Sequence, residues 1–284
     1  MNLERHHNGS VPAQFTAAID RALDAKDFGG AVAFAQQALD AGHRHPLLFH
    51  LRAVSRKQNG QFESAMGDLS EALRLAPKSA GLLIDAADCA NALRDHRRAI
   101  RLAGEAIALD PHQPIAWYLK GYAYQILAQF EEASACLREA VRLDPGYADA
   151  YARLANIAVG QSRLSEARSF AQQALDADPG NAIALLALTA ADLAEDRPDA
   201  ARPRLEAVLS DPHVEPPVCA IAKTQFGDLC HAMGRSDDAF DAYSSAGAIW
   251  KSYYGPHVVK SGTETAKAQV DRLIRCLESM PPAR

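Results

Sequence analysis

Residues 114–147 read PIAWYLKGYAYQILAQFEEASACLREAVRLDPGY, two apolar-periodic helical stretches of which the second closes on Asp144-Pro145. Proline has no N–H donor and its ring crowds the preceding turn, so it marks where the second helix stops. The same ending, Asp or Ala followed by proline, recurs at Pro77, Pro111 and Pro179, and the four prolines stand 34 residues apart. A fixed period of that length is the mark of an array of helical hairpins.

Placing each proline at position 32 of a 34-residue unit brings small residues into register at positions 8, 20 and 27, where paired helices approach closely. The columns read Ala53, Ala65, Ala72; Ala87, Ala99, Ala106; Gly121, Ala133, Ala140; and Ala155, Ala167, Ala174. The unit at 114–147 adds Trp117 at position 4, Tyr124 at 11, Phe130 at 17 and Leu137 at 24. With these residues the chain resembles the tetratricopeptide-repeat family. The resemblance implies an all-α fold, a right-handed superhelix (α-solenoid) of about seven helix pairs with a C-terminal capping helix. A single unit leaves an apolar face wet, so stability is expected from the interfaces between successive units.

The expected organisation is a flexible N-terminus over 1–11 and an array over 12–254, with units near 12–45, 46–79, 80–113, 114–147, 148–181, 182–214 and 220–254. The first is a weak match, carried by Ala31, Ala35 and Ala38; the last matches well, with Phe226, Gly227, Gly234, Ala239, Tyr243 and Ala246. In the sixth, Pro198 and Pro203 stand where its second helix should begin, which predicts a late start or a bend. A long loop around Pro212, Pro216 and Pro217 is expected to follow. The repeat is expected to end at Gly255-Pro256. Ser261 and Glu264 then have capping-box spacing, and Val270, Leu273, Ile274 and Leu277 form one apolar stripe, which predicts a capping or connector helix over 261–280.

The composition is that of a folded protein, 48% hydrophobic and 23% charged, and the net charge of −5 disfavours nucleic acid, whose phosphates reward clustered cations. Its one basic cluster is Arg94, Arg97, Arg98 and Arg101, expected on a solvated outer face and open to an acidic partner. Cys89, Cys136, Cys219, Cys230 and Cys276 show no C-x-x-C spacing and suit a reducing compartment. No run approaches the ~18 apolar residues of a membrane span, and the N-terminus has no apolar leader core. The expectation is a cytoplasmic protein that binds neither membrane nor nucleic acid.

Phosphate loops, H-E-x-x-H, G-x-S-x-G and calcium-loop patterns do not occur in the sequence, so no catalytic residue and no cofactor is assigned. His43, His45 and His50 straddle a junction between units and are read as polar junction residues, not as a metal site. Asp176 and Asp178 occupy helix-end slots. In this architecture the first helix of each pair lines the inner surface. The columns that face inward, with Arg153 at position 6 beside them, point to a peptide- or protein-binding groove of Asp88, Asn91, Tyr118, Tyr122, Gln125, Arg153 and Asn156. Tyr118 and Tyr122 are four residues apart on one helix, so mutual packing is open beside binding.

Within the family, members that grip a chaperone's C-terminal carboxylate use a set of lysines, asparagines and an arginine of which only Arg153 is matched here. The asparagine ladder of nucleocytoplasmic O-linked sugar transferases is also missing, since Asn91 and Asn156 occupy different columns. The segments Phe226-Gly227-Asp228-Leu229, 233–243 (MGRSDDAFDAY) and Val270-Asp271-Arg272-Leu273-Ile274 resemble the last repeat and connector of bacterial tetratricopeptide-repeat sulfotransferases. That resemblance implies a non-catalytic recognition arm of a larger protein-modifying enzyme. A free-standing adaptor and the targeting arm of a protein glycosyltransferase are the alternatives.

Overall fold

The computed structural model describes residues 12–258. The N-terminal residues 1–11, the predicted helix over 261–280 and Cys276 lie outside the described residues. Fourteen α-helices occur among the described residues, and they gather into two compact units that divide at Ile157 and Ala158.

The first unit holds α1 (Ala13–Asp24), α2 (Phe28–Asp40), α3 (Pro46–Gln58), α4 (Phe62–Leu75), α5 (Ala80–Ala92), α6 (His96–Leu109), α7 (Pro114–Ile126), α8 (Phe130–Leu143) and most of α9 (Ala148–Gly160). The second holds α10 (Leu164–Ala177), α11 (Ala182–Ala194), α12 (Pro198–Ser210), α13 (Pro216–Ala232) and α14 (Ser236–Val258). From α1 to α8 in the first unit, and from α10 to α14 in the second, each helix packs on the next, and α5 also touches α7, as α11 touches α13. That is the contact pattern of stacked hairpins.

Local chemistry sets the helix ends. Asp27, Ser79, Asp95 and Asn181 cap their helices by accepting a backbone N–H from three residues on. Proline sits in the first turn of α3, α7, α12 and α13, where its missing N–H costs nothing. The turns inside the hairpins repeat one backbone device. Lys26, Gly60, Arg94, Ala128, Ser162 and Asp196, each 34 residues after the last, have φ between 54° and 70°, in the left-handed region.

Packing follows the small-residue columns. Ala53, Ala65, Ala72, Ala87, Ala99, Ala106, Ala133 and Ala140 are completely buried. Close approach explains the two glycines at position 8. A Cβ on Gly121 would lie 2.9 Å from Leu137 Cγ, and one on Gly227 would lie 2.5 Å from the Tyr243 ring. In the second unit Leu186, Leu205, Val208, Ala222 and Leu229 form one core cluster.

Two readings of the prolines around the sixth hairpin, a late start of its second helix and a long loop after it, are corrected. The second helix, α12, starts on time, because Pro198 occupies its first turn, and Pro203 lies inside it. The stretch after it is short, 211–215, since Pro216 and Pro217 open α13 instead of extending a loop. The last helix, α14, also continues through Gly255 and Pro256 to Val258. Among the described residues no helix is long and apolar enough to cross a membrane.

Candidate functional site

Helical spacing puts Tyr118, Tyr122 and Gln125 on one stripe of α7. Opposite them α9 presents Arg153 and Asn156. The Arg153 guanidinium carbon lies 4.2 Å from the centroid of the Tyr122 ring and 5.4 Å from that of Tyr118. Its Nε donates to the Tyr118 hydroxyl at 2.9 Å, and its Nη1 reaches Gln125 Oε1 at 3.4 Å. Gln125 Nε2 in turn donates to Asn156 Oδ1 at 3.0 Å, and Asn156 is exposed. The predicted Tyr118, Tyr122, Gln125, Arg153 and Asn156 therefore form one connected cluster. Arg153 has no carboxylate partner among the described residues. It lies over the two tyrosine rings, partly exposed.

Two residues that the sequence did not single out complete this cluster. Tyr147, just before α9, packs against Tyr118 in a tilted contact with ring centroids 4.9 Å apart, and burial pushes its phenol pKa up. His96, the first residue of α6, meets the Tyr122 ring edge-on at 6.1 Å. Tyr118 thus contributes to packing between hairpins as well as to the lining. Aromatic residues near a junction were the available signal for Tyr147; nothing in the columns marked His96.

Asn91 does not line a surface. It is buried, its Nδ2 donates to the Leu119 carbonyl at 3.1 Å, and its Oδ1 is 3.1 Å from His96 Nδ1. The cause is the direct contact of α5 with α7, which brings the carbonyl of one helix within reach of an amide near the end of the other. Asp88 belongs to a separate charged group. Lys57 Nζ lies 2.7 Å from both Asp85 and Asp88, and His50 Nε2 lies 2.7 Å from Asp85. Burial alone would raise the Asp85 carboxyl, but the hydrogen bond from His50 and the charge of Lys57 hold it below its ordinary range. For Lys57 burial lowers the pKa, and the two carboxylates outweigh it and raise it. Cys89, beside this group, is a buried thiol pushed up to about 12, too high for a nucleophile near neutrality.

The remaining candidates resolve into structure. His43 packs on Phe15, His45 Nδ1 accepts the Leu47 N–H to cap α3, and His50 serves Asp85. Among the described residues no group of three His, Cys, Asp or Glu side chains is placed to hold a metal ion. Asp176 accepts from Gln172, while Asp178 accepts the Gly180 N–H in the following turn. In the second unit Asp192 is 1% exposed and is met by Arg168 at 2.7 Å, Arg197 at 3.1 Å and Arg204. A carboxylate that deep requires such partners.

No curated protein matches the sequence. Solved structures share the fold. A tetratricopeptide repeat protein from Parabacteroides merdae is 15% identical with a TM-score of 0.63, over 83% of this chain and 92% of that one. PilW, a type IV pilus biogenesis factor, is 20% identical with a TM-score of 0.61, over 73% of this chain and 97% of its own. Similarity extends to a chain of the APC/C hetero-tetramer Cut9-Hcn1, 14% identical with a TM-score of 0.63, over 83% of this chain and 46% of that one. Two family models, each described as tetratricopeptide repeat, match residues 115–147 and residues 57–121 and 158–225, together more than half of the sequence. This chain belongs to the tetratricopeptide-repeat family.

Proposed function

We propose that the chain is a non-catalytic protein-binding module whose α7–α9 surface, centred on Arg153, holds a segment of a partner protein. The observation that carries this reading is a positioned guanidinium with no ion-pair partner among the described residues, backed by Tyr118 and Tyr122 and flanked by the amides of Gln125 and Asn156. Arginine on an aromatic face keeps its fork pre-organised, so little rotamer entropy is lost when it meets an acceptor. Neighbouring amides supply the donors and acceptors that an extended backbone needs. Asp88 takes no part in this surface, and Asn91 acts only through packing.

Affinity purification with the immobilised 284-residue chain tests the reading when run beside Arg153→Gln and the double variant Tyr122→Ala/Asn156→Ala. Partners specific to the parent chain should fall about tenfold in yield with either variant, the size of effect expected for an interface anchor. Helical content should stay at the parent's level. Equal recovery by parent and variants would end the proposal.

The finer reading is that the module recruits acceptors to a sulfotransferase-like enzyme, raising their effective concentration at an attached active site. The resemblance in 226–243 and 270–274 supports it. Reading the frame past the codon for Arg284 tests it: a phosphosulfate-binding loop downstream favours the enzyme arm, and a stop codon favours the adaptor.

A further inference from the structure

The opposite side of α7 carries a second arrangement that the Arg153 cluster does not use. Trp117, Lys120 and Tyr124 recur at i, i+3 and i+7 and so share one stripe, roughly half a turn away from Tyr118 and Tyr122. The neighbouring α6 presents Arg97, Ile100 and Gly104 at the same spacing. Gly104 leaves room between the helices, and a Cβ added there would have Lys120 Nζ as its nearest neighbour, at 3.9 Å. The Lys120 ammonium lies 6.0 Å from the ring centroids of both Trp117 and Tyr124. Next to it opens a pocket of about 450 Å³ lined by Arg97, Ile100, Tyr124, Leu127 and Gln129. Leu127 at its wall is 38% exposed, and Ile126 beside it is 50% exposed.

Charge decides what this furrow would accept. Neither Lys120 nor Arg97 has a carboxylate partner among the described residues, nor does the side chain of Arg98, whereas Arg101 is paired with Glu105 at 2.9 Å. Glu132, close enough to Tyr124 to help burial raise its phenol pKa, belongs to the rim. A chain with net charge −5 that keeps two cations without an ion-pair partner here, Lys120 over aromatic rings and Arg97 lining an apolar pocket, is complementary to anionic groups flanking an apolar one. We propose that the α6–α7 furrow docks an acidic peptide segment of a partner protein, with one aliphatic side chain seated in the pocket and its flanking carboxylates on Arg97 and Lys120. This surface is independent of the Arg153 reading, since the two share no side chain.

The test uses the full chain, labelled with ¹⁵N and titrated with a peptide of about twelve alternating glutamates and aspartates carrying one central leucine. Saturable NMR shifts should centre on Arg97, Ile100, Lys120, Tyr124 and Leu127. Arg97→Glu should weaken binding about fivefold or more, and Lys120→Met, which keeps the apolar stem, about threefold. Replacing the peptide's leucine with serine should cost about tenfold, and raising salt from about 50 to about 300 mM should weaken binding further. Absence of saturable shifts up to millimolar peptide, or shifts centred on Tyr122, Arg153 and Asn156, would overturn the proposal. Binding to phosphatidylserine vesicles without binding to the peptide would also overturn it. Arg153→Gln should leave this titration unchanged, so failure here and failure of the Arg153 surface are told apart.

Discussion

His96 joins two roles, closing on Asn91 and supporting the Tyr122 ring. Burial first, and the nearby Arg94 charge second, lower its pKa below the ordinary 6.5. Between the lowered folded value and 6.5 the unfolded chain binds more protons, so stability is full above 6.5 and is lost as pH falls through that window. The urea midpoint should therefore drop between about pH 7.5 and about pH 5.5, and His96→Gln should flatten the drop. An equal slope in parent and variant would contradict this. Asp85 works in the acid range, because its lowered pKa gives stability that is present above 3.8 and is lost below it. Asn91→Ala removes both bonds of a buried amide and should cost about 1–3 kcal/mol in equilibrium unfolding. The sequence columns put Tyr118, Tyr122, Gln125 and Asn156 on neighbouring stripes with Arg153 beside them, and in the structure these five side chains touch, since a period of 3.6 residues fixes which side chains share a stripe. They misplaced Asn91 because periodicity fixes a direction but not how near the next helix comes.

Among the elements, the hairpin turns carry the clearest backbone signal. Arg94, Ala128, Ser162 and Asp196 adopt a left-handed φ that crowds a Cβ, whereas Gly60 meets the same demand freely. Ala128→Gly should raise the unfolding free energy by up to about 1 kcal/mol, and Gly60→Ala should lower it by a similar amount. Chemical denaturation of the two variants checks both signs. The period was legible from Pro77, Pro111, Pro145 and Pro179, because a missing donor has the same effect in every hairpin. Pro198 and Pro216 look like interruptions in the sequence, yet proline in a first turn starts a helix as readily as a later one ends it; Pro203, by contrast, lies inside α12. Sequence gives the residue; its slot in the turn decides the sign.

Across the whole molecule, each hairpin draws its stability from its neighbours, as in other solenoids. The effect of Asn91→Ala should accordingly stay local. Amide exchange should accelerate in α5, α6 and α7, with α11 and α13 in the second unit unchanged. Uniform acceleration along the chain would instead indicate a single cooperative block. The alanine columns that make this stacking possible have a further consequence. Position 8 and position 24 of a hairpin are filled by Ala87 and Ala103 in one case, by Gly121 and Leu137 in another, and by Gly227 and Tyr243 in a third. Where Gly121 meets Leu137 and Gly227 meets Tyr243, the two sites act as one shim: bulk at position 24 is admitted because position 8 carries no side chain, and a residue added at one would have to be matched by a loss at the other.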